Sequence, residues 1–166
     1  MQVDEFYQHI LGIEAPWEIV DVRLDKPSSV VHVELAHEPG IRWKCPCCER
    51  SLSTYDHVEE RRWRHLDTCQ YETWLHARIP RVKCPEHGVK QVRVSWAEPG
   101  SRFTLLLEAH AIDVLESCEV VSSACKILRI SWEQAWNVIE RAVERGKARK
   151  RPRQITRVGA DEKAFK

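Results

Sequence analysis

The hydrophobic pattern of this chain changes its period at residues 99–101. Before that point apolar and polar residues alternate in short runs, such as Trp17–Leu24 and Tyr71–Ile79, and alternation with a period of two predicts strands. After that point apolar residues recur every three or four positions, which predicts helices. Pro99-Gly100-Ser101 lies at the change and is a typical turn sequence. The pattern therefore predicts an α+β chain, with a β-rich part followed by a helical domain.

The β-rich part is predicted to begin with a short helix over residues 4–11 and a hairpin. One side of this helix carries Phe6, Ile10 and Leu11. The hairpin has its turn at residues 27–29, where one proline precedes two serines. The apolar positions that alternate with polar residues along its strands are Val20, Val22, Leu24, Val31, Val33 and Leu35.

Two pairs of potential metal ligands follow, Cys45 with Cys48 and Cys84 with His87, and each pair is separated by two residues. A tight turn directs both side chains of such a pair at one ion, and two pairs complete a tetrahedral site with no position open to substrate. Cys47 competes for one ligand position, but it lacks a partner at this spacing. The pattern predicts a structural Zn²⁺ site.

Disulfide bonds and simple burial are the alternatives for these cysteines. The chain has seven cysteines, an odd number, and residues 1–11 contain no apolar run that resembles a secretory leader. We therefore expect a reducing, cytoplasmic setting, in which cysteines of this spacing bind metal. No stretch of the sequence is long and apolar enough to span a bilayer, so no membrane partner is expected.

Residues 49–83, between the two ligand pairs, form a longer insert than such sites usually have. A hairpin is predicted over residues 62–79, with its turn at residues 67–70, and it is expected to lead into Cys84 as part of a zinc ribbon. Val89–Trp96 is predicted as a further strand. The histidines of the insert are expected to be ordinary strand residues, because closed zinc sites take four ligands and four are already present; these are His57, His65 and His76.

Three helices are predicted after residue 101. A short link, Arg129-Ile130, separates the second from the third, and Ser131-Trp132-Glu133-Gln134 has the form of a capping box at the start of the third. The expected buried positions are Phe103, Leu106, Leu107, His110, Val114 and Leu115 in the first helix, Val121, Ala124, Cys125 and Leu128 in the second, and Ala135, Val138, Ile139 and Ala142 in the third.

A helix, a short turn and a capped helix are typical of a helix-turn-helix, whose last helix enters the major groove. Its outward residues near the N-terminus are candidate DNA contacts, namely Trp132, Glu133, Trp136, Asn137 and Arg141. Asn137 suits adenine, and Arg141 suits guanine or phosphate. A three-helix bundle that never binds nucleic acid would show the same helical pattern.

The distribution of charge favours double-stranded DNA as the partner, although the net charge is only +1. Residues 1–40 contain eight acidic and two basic residues, whereas residues 141–157 contain eight basic residues and one acidic residue. A basic segment of this kind seeks phosphates. Its candidate contacts include Arg149, Lys150, Arg151 and Arg153. A solvated linker is the alternative interpretation of the same run.

The order of CPCC at residue 45, CPEH at residue 84, LRISW at residue 128 and GADEKAFK at residue 159 resembles the N-terminal part of bacterial insertion-sequence transposases of the ISL-three family. The resemblance covers most of residues 40–166. It implies that the ribbon and the helix-turn-helix recognise terminal inverted repeats. It also implies a ribonuclease-H-like catalytic domain, in which three acids hold two Mg²⁺ ions.

The resemblance makes Asp161 the first of the three catalytic acids. The other two acids would lie beyond Lys166, so this chain alone is expected to be catalytically inactive, with Mg²⁺ bound only in a full-length form. Besides the missing acids, the chain differs from the common family pattern at His87, where the family usually has cysteine. Histidine is also a sound zinc ligand.

The predicted organisation has five segments. They are an N-terminal helix and hairpin at 1–40, a zinc ribbon at 41–98, a three-helix helix-turn-helix domain at 101–146, a basic linker at 147–157 and the start of the catalytic domain at 158–166. Two other functions remain open on these grounds: a stand-alone DNA-binding regulator without catalysis, and a zinc-ribbon interaction module that binds no DNA. A homodimer is a possible form of the transposase.

Overall fold

A computed structural model describes residues 3–150, with side chains from Phe6 onward, and has an α+β architecture. This part of the chain contains eight strands and four helices, one at the N-terminal end and three after residue 100. They are α1 (Val3–Ile10), β1 (Trp17–Asp25), β2 (Val30–His37), β3 (Arg42–Lys44), β4 (Ser51–His57), β5 (Arg61–Thr68), β6 (Tyr71–Ala77), β7 (Pro80–Cys84), β8 (Gly88–Gln91), α2 (Leu105–Ser117), α3 (Val121–Leu128) and α4 (Trp132–Arg149).

The eight strands form two four-stranded sheets. The first has the order β1-β2-β6-β5, with β2 and β6 parallel and the other neighbours antiparallel. The second has the order β3-β4-β7-β8 and is antiparallel throughout. Strands β1 and β2, before residue 40, form one sheet with β5 and β6, which follow it. The boundary predicted between the segments 1–40 and 41–98 therefore separates strands of the same sheet.

The hairpin predicted over residues 62–79 is present as β5–β6, but it does not pair with the strands that carry the metal ligands. It belongs to the first sheet, and β7 is the strand that leads into Cys84. Two parallel strands need a long crossover between them, and β3, β4 and β5 supply it for β2 and β6. The strand predicted over Val89–Trp96 is shorter than expected, since β8 ends at Gln91.

Four tryptophans join the two sheets in one core. Trp17 of β1 lies 5.7 Å from Trp43 of β3 and 5.0 Å from Trp96, measured between ring centroids. Trp63 of β5 lies 5.6 Å from Trp96, edge to face. All four are buried, and such aromatic pairs add to the free energy gained by burying their area.

Two of the predicted apolar faces are wrong in part. Val20 and Leu24 are exposed. Val20 is exposed because the register of β1 against β2 shifts between Ile19 and Asp21, so Val20 lies in a bulge while Trp17 and Ile19 are buried. In α1, Phe6 and Ile10 are exposed, and Tyr7 packs on the core instead. The positions predicted for β2 are correct, since Val31, Val33 and Leu35 are all buried.

The helical part contains the predicted turn and cap. The hydroxyl of Ser131 accepts a hydrogen bond of 3.1 Å from the Gln134 amide, and the Gln134 side chain accepts one of 2.8 Å from the Ser131 amide. Helix α4 continues to Arg149, so residues 147–149, predicted as linker, are helical. No helix among the described residues is long and apolar enough to cross a bilayer.

The buried face of α2 differs from the predicted one. Leu106 and His110 are exposed, whereas Leu107, Glu108 and Ala111 are buried. The difference arises because a charged residue, Glu108, occupies a core position that hydrophobic periodicity assigns to an apolar side chain. Helices α3 and α4 bury the residues expected at their centres, Ala124, Leu128, Ala135 and Val138.

Candidate metal centre and nucleic-acid interface

The four predicted metal ligands converge at one end of the second sheet. Cys45 follows β3, Cys48 precedes β4, Cys84 ends β7 and His87 lies in the turn before β8. Their ligand atoms all lie within 4.8 Å of one another. The Cys48 and Cys84 sulfurs are 3.7 Å apart, and Nδ1 of His87 lies 3.5 Å from the Cys84 sulfur and 4.0 Å from the Cys45 sulfur.

These separations fit a tetrahedral ion with three sulfur ligands and one nitrogen ligand. Zinc bonds of roughly 2.3 Å to sulfur and 2.1 Å to nitrogen, at tetrahedral angles, place two sulfurs about 3.8 Å apart and a sulfur about 3.6 Å from the nitrogen. The Cys48–Cys84 and Cys84–His87 distances, 3.7 and 3.5 Å, lie close to these values, and the Cys45–His87 distance, 4.0 Å, is somewhat longer. Cys47 is exposed and does not belong to the cluster, so the residues that converge are the four in pairs with the two-residue spacing.

The turn that carries the first ligand pair is shaped by its backbone. The Cys45 amide donates to the Arg50 carbonyl and the Glu49 amide donates to the Cys45 carbonyl, each at 2.9 Å, and Glu49 adopts a left-handed φ of 58°. The Cys47 amide donates to the Cys45 sulfur, and this hydrogen bond lowers the pKa of the Cys45 thiol. A lowered pKa favours the thiolate, which is the form that binds metal.

An exposed surface at the start of α4 contains four of the predicted DNA contacts, Trp132, Glu133, Trp136 and Asn137. The two indole rings stack with an interplanar angle of 6° and a centroid distance of 5.5 Å. Nε1 of Trp136 donates a hydrogen bond of 2.9 Å to the Glu140 carboxylate, which fixes the orientation of the Trp136 ring. The side of α4 that faces away from the protein is thus flat and aromatic near its N-terminus.

Arg141, the fifth candidate on this helix, has a different environment. It pairs with the buried carboxylate of Glu108 on α2 at 2.8 Å, and Arg145 pairs with the same carboxylate at 3.1 Å. The Ser101 hydroxyl donates to Glu108 at 2.8 Å. Glu108 therefore fixes α4 against α2, a role that the sequence analysis missed because glutamate usually indicates an exposed position.

The remaining candidates lie at the end of the described chain or beyond it. Arg149 is the last residue of α4 and Lys150 is its C-terminal cap, and both are exposed. Arg151, Arg153 and Asp161 lie outside the described residues.

The turn between α3 and α4 is anchored to the first sheet. Arg129, in the left-handed conformation with φ of 54°, donates to the Gln70 carbonyl at 3.1 Å and pairs with Asp67. Asp67 also pairs with the buried Arg64 of β5. The β5–β6 hairpin therefore supports the turn that orients α4.

His65 of β5 contacts the start of α2, where its Nδ1 lies 2.9 Å from the Thr104 hydroxyl. Burial, together with the smaller effect of the positive charge of Arg64, lowers the pKa of His65 to about 4. An unfolded histidine has a pKa near 6.5. As the pH falls below that value, the unfolded state takes up a proton that the folded state does not bind. Acid therefore lowers the stability of the folded state through His65.

We expect His65→Asn to reduce the loss of stability between pH 7 and pH 5.5 by about 1 kcal/mol, since asparagine does not titrate in this range. Urea unfolding in excess Zn²⁺ at the two pH values measures the difference. The exposed His110→Asn is the control and should retain the wild-type pH dependence. An unchanged pH dependence in His65→Asn would contradict the assignment.

Comparison with known protein families identifies both parts of the chain. Residues 41–87, which include all four convergent ligands, match the zinc finger of transposases IS204, IS1001, IS1096 and IS1165. Residues 92–143, which include α2, α3 and most of α4, match the helix-turn-helix domain of transposase family ISL3. The chain belongs to the ISL3 transposase family. The resemblance inferred from its motifs is confirmed.

The chain is also similar to the transposases for insertion sequence element IS1557 from two strains of Mycobacterium tuberculosis. Each is 26% identical to this chain over 166 aligned positions, which cover 96% of the chain and 37% of the relative. The chain thus spans about a third of the length of these relatives. No solved structure gives a significant match.

Proposed function

We propose that this chain is the DNA-recognition part of an ISL3 transposase and binds duplex DNA at the terminal inverted repeats of its element. The observation that carries the proposal is the α3–turn–α4 arrangement within the matched helix-turn-helix region, with an exposed polar and aromatic surface at the start of α4. Helices α2, α3 and α4 are the three helices of this domain. No observation favours the alternative function, a stand-alone DNA-binding regulator without catalysis, over this proposal.

Helix α4 is the recognition helix in this proposal. Asn137 is well suited to hydrogen-bond an adenine edge, and the stacked Trp132 and Trp136 offer apolar surface to thymine methyl groups. Arg141 pairs with Glu108, so in this proposal it holds α4 against α2 and does not contact a base. Arg149, Lys150, Arg151 and Arg153 neutralise phosphates and set the affinity without reading the sequence.

The second sheet holds a structural Zn²⁺ through Cys45, Cys48, Cys84 and His87. The ion supplies folding free energy and no catalysis, since four protein ligands leave no open position. Its role is to hold the β3–β4 and β7–β8 turns together at one end of the sheet. The Arg50–Glu86 ion pair, 2.6 Å between the two turns, supports the same closure.

Band-shift titrations against insertion-sequence ends and random duplexes test the proposed DNA binding. We expect Arg149→Ala, Lys150→Ala, Arg151→Ala and Arg153→Ala together to weaken binding to both DNAs and to flatten the dependence on salt, because fewer counterions are released. Asn137→Ala should instead reduce the preference for element ends by about 1–3 kcal/mol.

Lys26→Ala provides a control for lost positive charge, because Lys26 lies in the β1–β2 turn, distant in the chain from α4. It should leave both affinities unchanged. If the wild-type chain binds neither DNA at low salt, the proposed recognition function is wrong.

Catalysis is proposed for a protein of the full length of the relatives, with Asp161 as the first of three acids that hold Mg²⁺. We expect Asp161→Asn in such a protein to abolish strand cleavage, because a lost carboxylate removes a ligand of the metal pair. DNA binding should remain at the wild-type level. Cleavage assays with Mg²⁺, beside band shifts on the same preparation, separate the two activities.

Glu162→Gln is the matched control for Asp161→Asn, since it removes the adjacent carboxylate, to which the family resemblance assigns no role. Retained cleavage in Asp161→Asn, with loss in Glu162→Gln, would transfer the role to Glu162. The homodimer is part of the same proposal, as two inverted repeats provide two equivalent sites; the mass of the DNA complex tests it.

A further inference from the structure

A second cluster of metal-ligating side chains lies on the first sheet. Glu34 on β2, Glu60 before β5 and His76 on β6 each place one ligand atom within 4.8 Å of the other two. Glu34 and His76 are register partners on adjacent parallel strands. Glu60 immediately precedes the first residue of β5. Residues that are distant in the chain are therefore brought together by the parallel β2–β6 pairing and by the entry into β5.

His76 is held in the manner of a metal-bound histidine. Its ring is buried, its Nε2 lies 3.0 Å from Nδ1 of His32, and its Nδ1 lies 3.2 Å from Oε1 of Glu60. Metal-binding histidines commonly donate their second ring N–H to a neighbouring group, which fixes the ring and directs the other nitrogen at the ion. In the tautomer in which Nε2 of His76 donates to Nδ1 of His32, the lone pair on Nδ1 of His76 is directed at the Glu60 carboxylate.

The charges of the cluster favour a cation. The two carboxylates and the imidazole nitrogen present lone pairs and negative charge to one point, and a cation there would offset the repulsion between the carboxylates. Within residues 3–150, Glu34 has no ion-pair partner and Glu60 pairs with His76 alone. Both carboxylates line a surface cavity of ≈ 610 Å³, through which an ion can enter from solvent.

We propose that Glu34, Glu60 and His76 bind a second divalent transition-metal ion of the Zn²⁺ class, with His32 orienting His76. One imidazole and two carboxylates suit such an ion better than they suit Ca²⁺ or Mg²⁺, which prefer oxygen ligands only. From the sequence alone, His76 was expected to be an ordinary strand residue, because the four ligands of the ribbon are complete without it.

The site ties the two sheets together. Glu60 lies in the connection from β4 of the second sheet to β5 of the first, while Glu34 and His76 belong to the interior strands of the first sheet. A bound ion therefore holds that connection against the first sheet. Three protein ligands leave a position for water, so this ion is expected to exchange more readily than the one at the closed Cys/His centre.

Co²⁺ titration of the Zn²⁺-loaded chain tests the proposal, after mild chelation has removed weakly bound metal. The wild-type chain should bind one equivalent of Co²⁺ with weak visible bands and no sulfur-to-metal charge-transfer band, while the Cys/His centre retains its Zn²⁺. The double variant Glu34→Gln/Glu60→Gln should bind this Co²⁺ at least about tenfold more weakly. Both side chains reach solvent, so the variant is expected to fold, and circular dichroism checks this.

Glu59→Gln, which removes an exposed neighbouring carboxylate, is the matched control and should bind Co²⁺ like the wild type. Three results would overturn the proposal: no Co²⁺ uptake by the wild-type chain in excess Co²⁺, equal uptake by the double variant, or a sulfur charge-transfer band that assigns the uptake to the Cys/His centre. None of these measurements depends on DNA binding.

Discussion

Cys48→Ser is expected to abolish tight Zn²⁺ binding and to unfold the second sheet. Cys48 provides one of three sulfurs around the ion position, and serine neither reaches the metal at the sulfur distance nor becomes an anion at neutral pH. Structural zinc contributes folding free energy directly, on the order of 10 kcal/mol in small domains. The end of the second sheet that carries the ligands depends on that contribution, because Cys45 and Cys84 are buried around the ion position.

Metal analysis after chelation, together with tryptophan fluorescence, measures the effect of Cys48→Ser. Trp43 of β3 is buried beside the first ligand turn, so its emission should shift to longer wavelength when the sheet opens. Cys47→Ser is the control: it removes an exposed sulfur from the same turn and should retain both zinc and the wild-type spectrum. Chelation-resistant zinc at full occupancy in Cys48→Ser would show that the ligand assignment is wrong.

Glu108→Ala is expected to destabilise the helical domain by about 3 kcal/mol, at the lower end of the effect of breaking a buried ion pair. Glu108 is 1% exposed and accepts from Arg141, Arg145 and the Ser101 hydroxyl. Its removal leaves both arginines without their partner. Because the arginine side chains are 27% and 32% exposed, water compensates part of that loss, which is why the lower figure applies.

Urea unfolding followed by circular dichroism measures the change caused by Glu108→Ala. Glu116→Ala is the matched control, since Glu116 is an exposed glutamate of the same helix and should change stability by less than about 0.5 kcal/mol. Loss of preference for element ends should accompany the destabilisation, because Glu108 sets the position of α4. Equal stability of the two variants would contradict the role assigned to Glu108.

The features that the sequence predicted correctly are encoded by short-range spacing. The ligand pairs at Cys45 and Cys84 and the capping box at Ser131 each involve residues three positions apart, and local backbone geometry brings such residues together regardless of the rest of the fold. The alternation in β2 was equally informative, because one face of that strand is buried along its length.

The features that were missed depend on partners distant in the chain. The pairing of β2 with β6 joins residues whose individual patterns indicate only that each is a strand, and it places the β5–β6 hairpin in the first sheet. Glu108 is a charged residue that becomes a core residue only when α4 delivers Arg141 and Arg145. The bulge in β1 likewise depends on the partner strand, so Val20 was wrongly expected to point inward.

The parallel pairing of β2 with β6 also has a consequence for synthesis on the ribosome. The β1–β2 hairpin can form as soon as residue 37 has left the exit tunnel, but the free edge of β2 finds its partner only after residue 77 has followed. At about 5–20 residues per second the edge stays open for about 2–8 seconds. An unpaired edge is a template for pairing with other nascent chains. Slower translation across residues 38–77 should therefore increase aggregation of this protein during its synthesis.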